Sequence, residues 1–361
     1  YNKNFYTIEA LDNTKVIIDG AVIKGSRGIN TKYGGGAIHA SNAEITIQNK
    51  AEIYGGDSEK ASITSDNKES WNYKYQGEAG DAVYAWHSRL TVTDSKIYGG
   101  NGISNDDTEK SYISGGINFA TGGVGISASQ SDTLAIVTGS FIKGGDSTLY
   151  NAADGIYVGF GASLTMENSE VEGGSCLKCA GTTYGIAGNG ISVPMDACTV
   201  AIKNSEVTGG NSDGSWIGSG IEVTNNATGS TVKVEDSQIA AGGGAGKTDY
   251  TYAIKTGYPT SVELKNTSLT ANKDKKKAVD ERTKFVIADG TLTVVNGELN
   301  VEVYTNSDVT VSGDDTVTPK KIAAKIGDAL YESLADAAKA AQDGDTITLL
   351  ADAVVPTEKN S

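Results

Sequence analysis

Two aspartates hold the same place in two copies of a short phrase. Asp81 precedes Ala82-Val83, and Asp154 precedes Gly155-Ile156. Paired carboxylates can divide acid and base roles across a glycosidic bond, provided the gap between them suits it. A second set of residues is aromatic. Trp71, Tyr73, Tyr75, Glu78 and Asp81 share one stretch, with Tyr84, Trp86 and His87 just after it. Tyr112 and Phe119 fall in another stretch, beside Asn105, Asp106, Asp107 and Glu109. Flat rings next to carboxylates and amides suit a sugar, which needs a stacking face and hydrogen-bond partners. The plainer role for such rings is to pin long loops to a wall. Of the three cysteines, Cys176 and Cys179 are close in sequence and Cys198 follows later. Three thiols without a suitably placed His do not make a structural zinc site. In an oxidising compartment the expectation is one disulfide, Cys179 with Cys198, and one thiol left over.

A repeat positions these residues. Asn168-Ser-Glu-Val-Glu-Gly-Gly and Asn204-Ser-Glu-Val-Thr-Gly-Gly are near-copies, and relatives begin at Asp19, Asn49, Asp94, Gly139, Asp236, Asn266 and Asn296. Before each lies an alternating segment such as Leu90-Thr-Val-Thr or Val232-Lys-Val-Glu. Earlier still comes a small residue followed by Ile or Val, as in Ala37-Ile38 or Gly190-Ile191. Each repeat therefore holds three short period-two strands with no helix between them. Such a unit closes on itself, and successive coils stack as parallel strands about 4.8 Å apart. The first position of the phrase takes Asn, Asp or Gly, the residues that tolerate a left-handed corner. The apolar column Val22, Ile53, Ile97, Ile142, Val171, Val207, Ile239, Leu269 and Leu299 is expected to point inward. The Gly pair makes the next corner. Asp81 and Asp154 lie on coils with one other between them, at Val124, so about 9.6 Å of stacking separates them. That is too far for a retaining pair and at the edge of the range for an inverting one.

Departures from uniformity mark candidate surfaces. From Gly-Gly to the next Ile is 12 residues in short coils (144 to 156, 209 to 221), but 28 for 55 to 83 and 27 for 99 to 126. A third, smaller insertion runs from 173 to 191. All three leave at one corner and must project from one side, where solenoids commonly bind. The formal charge of −15, with only three Arg, argues against nucleic acid, whose phosphates demand a basic stripe. The lysines at 273–277 read as a solvated loop. No apolar run approaches the roughly 20 residues of a membrane helix, so membrane insertion is not expected. The chain opens at Tyr1 in strand-like sequence, as a processed protein or excised fragment would.

With its coils, corners and Gly-Gly turns, the chain over residues 5–312 resembles the pectin-lyase-like right-handed parallel β-helix superfamily of lyases, glycosidases and bacterial adhesins. The expected fold is thus an all-β solenoid of about nine three-strand coils over 1–317. Residues 318–361 differ. Ser333 is an N-cap with Asp336 three later, an Ala-rich helix follows, and Asp343-Gly344-Asp345 stops it before a strand. This stretch resembles a unit of bacterial extracellular β-helix and cell-wall proteins, which implies a cap or the start of a following module. The resemblance to lyases implies a Ca²⁺ carboxylate cluster with a base, and Asp106, Asp107 and Glu109 are the acidic candidates, with no Arg near them. No other cofactor is expected. Gly188-Asn189-Gly190-Ile191-Ser192 is similar to the polygalacturonase Gly-His-Gly-Ile-Ser, but Asn replaces the His. His39 and His87 fall at different repeat positions and do not pair. The sequence therefore favours a non-catalytic, secreted or cell-surface bacterial module. Its expected role is an adhesin or glycan-binding segment whose binding face is built by loops 57–81 and 101–124. Its expected partners are a glycan or host glycoprotein and neighbouring modules of the same polypeptide. A polysaccharide lyase or glycoside hydrolase is the alternative, and a stalk or self-assembling spacer the third reading.

Overall fold

Alternating apolar and polar residues make each repeat three short strands, and the computed structural model shows how they pair. It describes residues 5–350 apart from 30–33, 61–76, 105–119, 149, 179–184, 225, 245–251, 258–260, 273–276, 281–284, 300, 306–308, 316 and 328. The small-plus-Ile strands form one parallel sheet of eight. In order they are Tyr6–Leu11, Gly36–Ser41, Val83–Trp86, Ile126–Ser129, Ile156–Gly159, Ile191–Val193, Ile221–Val223 and Ile254–Thr256. A second column (Lys15–Asp19, Glu44–Gln48, Arg89–Thr93 and onward) and a third (Val22–Lys24, Glu52–Tyr54, Lys96–Tyr98 and onward) stack in the same way. From residue 261 these two columns fuse into the long strands Ser261–Thr270 and Phe285–Val295, with a register shift at the old corner. The result is an all-β parallel β-helix carrying one α-helix among the described residues.

The core is a stack of like residues. Ile38, Val83, Ile126, Ile156, Ile191, Ile221 and Ile254 pair coil to coil and are fully buried. Ile53, Ile97, Ile142, Val171, Val207, Ile239 and Leu269 do the same in the third column. Corner residues Asn49, Asp94, Gly139, Asn168, Asn204, Asp236 and Asn266 all have φ between 45° and 59°. Side chains bridge some of them: Asn49 Nδ2 donates to Asp19 Oδ1 at 2.7 Å, and Asn266 Nδ2 to Asp236 Oδ1 at 2.9 Å.

The two ends depart from the expected register. In the first coil Gly20, not Asp19, is left-handed, because Asp19 pairs with Gln48 inside the strand. Val22 accordingly points outward at 56% exposure, and Ile23 takes the inward place opposite Ile53. In the last full coil Gly290 takes the corner above Asn266, and Val294 rather than Leu299 stacks on Leu269. Asn296 is left-handed too, but one corner later, after Val295. The phrase at 296 still makes its left-handed corner and buries Leu299, but it lies one corner later than the column it was expected to join.

The Ser after the corner has its own role. Ser95, Ser140, Ser169 and Ser205 each donate their backbone N–H to the hydroxyl of the next coil's Ser (Ser140, Ser169, Ser205 and Ser237) at 3.0–3.2 Å. Each hydroxyl in turn donates to the carbonyl two residues back, as Ser169 does to Glu167 at 2.8 Å. All five are buried, so removing one rung strands a backbone N–H away from water. Ser169→Ala is expected to cost about 1–3 kcal/mol, the usual penalty for an orphaned buried donor. Urea denaturation would check it, and a midpoint equal to wild type would refute the ladder's role.

The Gly pairs make a seam rather than a simple turn. The backbone leaving each coil and the backbone entering it alternate along one hydrogen-bonded line: Gly56 N–H donates to Gly35 O, Gly80 to Gly56, Gly100 to Gly80, Gly123 to Gly100 and Gly145 to Gly123, at 2.8–3.0 Å. The line continues through Ala153, Gly174, Gly188, Gly210 and Gly218 to Gly242. The seam closes the three-sided core, so each insertion begins and ends outside it. Their roots stack: Ser58–Lys60 pairs with Gly102–Ser104, and Gly77–Glu78 with Ala120–Thr121.

At the other end, Ala324–Ile326 pairs antiparallel with both Ala329–Tyr331 and Ile347–Leu349. The helix Leu334–Ala340 follows its N-cap Ser333, whose hydroxyl accepts the Asp336 N–H at 3.0 Å.

Candidate functional site

The insertions return to the helix immediately before the first sheet, so the outward face of that sheet is the surface they border. Register sets its contents. The row one residue after the buried Ile or Val reads His39, Tyr84, Ser127, Tyr157, Ser192, Glu222, Lys255 along the stack. Two residues further on, Ser41, Trp86, Ser129 and Gly159 are aligned. Asp81 and Asp154 precede the buried Val83 and Ile156 by two residues, on coils with Val124's between them, so two strand spacings of about 4.8 Å separate them.

Both aspartates serve the stack. Asp81 Oδ1 accepts the Val124 N–H at 2.8 Å, and Asp154 Oδ1 accepts the Asn189 N–H at 2.7 Å. Asn189 continues the line by accepting the Ser219 N–H at 2.9 Å, and its Nδ2 donates to Glu222, which is paired with Lys255. Asn189, the Asn of the polygalacturonase-like stretch, is therefore a rung. Burial of the two carboxyl groups pushes both up to about 6, against the opposing pull of the N–H each accepts. Asp154 has a further upward push from Glu222, and Asp81 from Glu78. Burial also lowers the His39 imidazole below its ordinary range, Glu9 opposing. It raises the Tyr84 and Tyr157 phenols, each with a smaller push from its own aspartate.

The rings on this face are partly engaged with one another. Tyr6 stacks on His39 at 5.0 Å, His39 meets Tyr84 at 5.4 Å, and Tyr84 lies 6.2 Å from Trp86, whose edge contact to His87 is 5.6 Å. On the third column Tyr54 and Tyr98 are nearly parallel at 5.0 Å and 9°, so each spends a ring face on the other. Tyr157 enters no such pair among the described rings. His87, left-handed at φ 48°, is held by Asp132 at 2.6 Å.

Of the residues singled out in sequence, Trp86 lies on this face, Asp81 stands just before its strand, and Glu78 is exposed at the root of the first insertion. Trp71, Tyr73, Tyr75, Tyr112 and Phe119 fall outside the described residues, as do Asp106, Asp107 and Glu109. Among the described residues no group of three or more His, Cys, Asp or Glu could hold a metal ion. The Cys179–Cys198 disulfide is corrected. Cys198 is a free thiol, buried at the corner where its Sγ approaches the Met195 and Val158 carbonyls at 3.4 and 3.5 Å, which keeps it from reaching into the insertion. Cys176 is the disulfide-bonded one, and Cys179 lies outside the described residues. Sequence reasoning passed over the pairing of each aspartate with a tyrosine three residues on. The signal was present: Asp81-Ala-Val-Tyr84 and Asp154-Gly-Ile-Tyr157 repeat the same four-residue pattern.

The family described as "Right handed beta helix region" matches residues 81–266. Among solved structures, a double mutant of the periplasmic alginate epimerase AlgG is similar, at 12% identity and a TM-score of 0.30, over 86% of this chain and 67% of that one. The Agl-KA catalytic domain is similar at 12% identity and a TM-score of 0.24, over 85% of this chain and 62% of that one. Neither likeness is close enough to carry an activity across. Curated proteins give no match. No helix among the described residues is long and apolar enough to cross a membrane.

Proposed function

The chain belongs to the right-handed β-helix family, and on that scaffold we propose a non-catalytic, carbohydrate-binding module of a bacterial cell-surface protein, bordered by the insertions at 57–81 and 101–124. A fold of this kind hosts many functions, so the face must carry the argument. The observation that carries it is the joint placement of aromatic rings and hydrogen-bonding side chains along the outward row of the first sheet. Asp81 and Asp154 are each tied to a backbone N–H and stand two strand spacings apart, which suits a lining better than a cleavage pair. An acidic chain presenting such a face fits an extracellular setting, with a glycan or surface glycoprotein as partner and further modules of the same polypeptide beside it.

The second reading, a glycoside hydrolase, draws on the near-neutral affinity of both carboxyls for protons, a property common at catalytic sites. One experiment separates the two. Oligosaccharides are titrated into wild type and Tyr157→Ala by calorimetry, and the same mixtures are assayed for new reducing ends and unsaturated products. Binding with no turnover, weakened about tenfold or more by Tyr157→Ala, is the expected result. Accumulating products would transfer the assignment to the hydrolase or lyase reading. No binding of any saccharide at millimolar concentration would remove the carbohydrate role and leave a spacer.

A further inference from the structure

The corner between the first and second strands of each coil breaks the rule that the Asn corner keeps. Backbone bonds align Asp12, Asn42, His87, Gln130 and Phe160 as one file along the solenoid, from Asp12 N–H on Ser41 O to Gln130 N–H on Gly159 O. All five are left-handed, with φ of 38°, 51°, 48°, 89° and 55°. The Asn corner meets the same demand with Asn, Asp or Gly at each of its positions from Asn49 to Asn266. Here three consecutive coils hold His, Gln and Phe, side chains that this backbone disfavours. Residues kept in such a conformation point to a use for their side chains.

Three observations indicate an occupant. A cleft of about 400 Å³ opens at this corner, with Asn13, Lys15, Asn42, Glu44 and His87 in its walls, a volume within the range of small-ligand sites. Next, its polar groups are set but not filled. His87 Nδ1 meets Asp132 Oδ1 at 2.6 Å and its ring lies 5.6 Å from Trp86, which leaves Nε2 without a partner among the described residues. The side-chain amides of Asn13 and Gln130 are likewise unengaged among the described residues. Finally, the Phe160 ring is 47% exposed, two strand spacings (about 9.6 Å) along the file from His87. The ions around the cleft are matched. Lys15 Nζ lies 3.1 Å from Glu44, His87 faces Asp132, and Asp12 accepts from the Asn42 amide at 3.4 Å.

Resting on the carbohydrate-binding reading, we propose that this corner is a saccharide site of its own, adjoining the first-sheet face, and that it takes a neutral oligosaccharide laid along the solenoid axis. A sugar in the cleft bonds its hydroxyls to His87 Nε2 and the Asn13 amide. The chain then runs past the Gln130 amide and stacks a further sugar on the Phe160 ring. Amides both donate and accept hydrogen bonds, as neutral hydroxyls require. The matched ions leave no partner for a sugar's carboxylate or ammonium.

Calorimetry with tetrasaccharides tests this, using β-1,4-linked glucose, mannose and xylose as neutral probes and galacturonate as the charged one. At least one neutral probe is expected to bind, about tenfold or more tighter than galacturonate. Phe160→Asn and His87→Asn each place a residue suited to the left-handed corner. Both variants should unfold at or above the wild-type midpoint while weakening that probe about tenfold. Residues kept there for packing would give the reverse, a lower midpoint with binding unchanged, and that result would overturn the site. Galacturonate binding equal to or tighter than the neutral probes would overturn the selection. Binding lost in Tyr157→Ala but untouched by both Asn variants would keep the carbohydrate reading on the first sheet and remove this corner from it. Failure of every probe to bind wild type would instead defeat the carbohydrate reading itself.

Discussion

Gly145→Ala should unfold the protein about 5 °C or more below wild type, a large loss for a single added methyl group. A Cβ at Gly145 would stand 1.8 Å from the Gly100 carbonyl oxygen, 2.7 Å from its carbon and 2.9 Å from the Gly123 nitrogen. All three obstacles are backbone, and each is held by its own bond along the seam, Gly123 N–H to Gly100 O and Gly145 N–H to Gly123 O, both 2.8 Å. A side chain could rotate away, whereas here two coils must part. Ordinary overpacking costs about 1–3 kcal/mol, and parting the seam adds buried N–H groups without partners, for about 4 kcal/mol or more in total. Gly243→Ala is the matched control, because its methyl meets only the Asn211 side chain, 3.0 Å away at its Oδ1. Thermal unfolding followed by circular dichroism reads both. A Gly145→Ala midpoint within 2 °C of wild type would mean that the seam opens freely.

The second large effect is a change of stability with pH, and its sign is unusual for carboxylates. Most native carboxylates are held below their unfolded value, so stability rises with pH. Asp81 and Asp154 are held above it, at about 6 against 3.8, chiefly by burial. Between those values the folded state binds more protons than the unfolded state, so these two groups remove stability as pH rises from about 4 to about 6. Their contribution is flat above and below that window. A shift of this size corresponds to about 2–3 kcal/mol per group. Asp154→Asn removes the charge but keeps an oxygen for the Asn189 N–H, as Asn189 itself does one coil on for Ser219. The variant should therefore be more stable than wild type by about 2 kcal/mol at pH 7.5 and nearly equal to it at pH 4. Urea midpoints at the two pH values decide. Equal effects at both, or destabilisation at pH 7.5, would show that the carboxylate is not desolvated.

How much of this was legible in the sequence differs from residue to residue. The corner at Asn168 and Asn204 was, because a left-handed backbone narrows the choice to Asn, Asp or Gly whatever surrounds it. The inward columns at Ile97 and Val207 were too, since period two is a property of the strand alone. The N-cap at Ser333 needs only three residues of context. Register failed at Val22, one step out of place in the first coil; at the other end Leu299 is buried as expected, although Val294 is the residue that stacks on Leu269. There only pairing with a neighbouring coil could choose between Val22 and Ile23, or between Gly290 and Asn296.

The sequence by itself thus determined the coil, its corners, its buried columns and the side from which the insertions leave, because each of these is repeated local geometry. The tertiary structure decided what lies across from what. Coils separated by 30 residues in one place and 45 in another still stack at one strand spacing. Partners such as Tyr84, Ser127 and Tyr157 are therefore set by hydrogen-bonded register and not by distance along the chain. The glycine seam, the rung role of Asp154 and Asn189 and the free thiol of Cys198 all arise between coils. They depend on which backbone comes close to which, and that is fixed only when the chain has closed on itself.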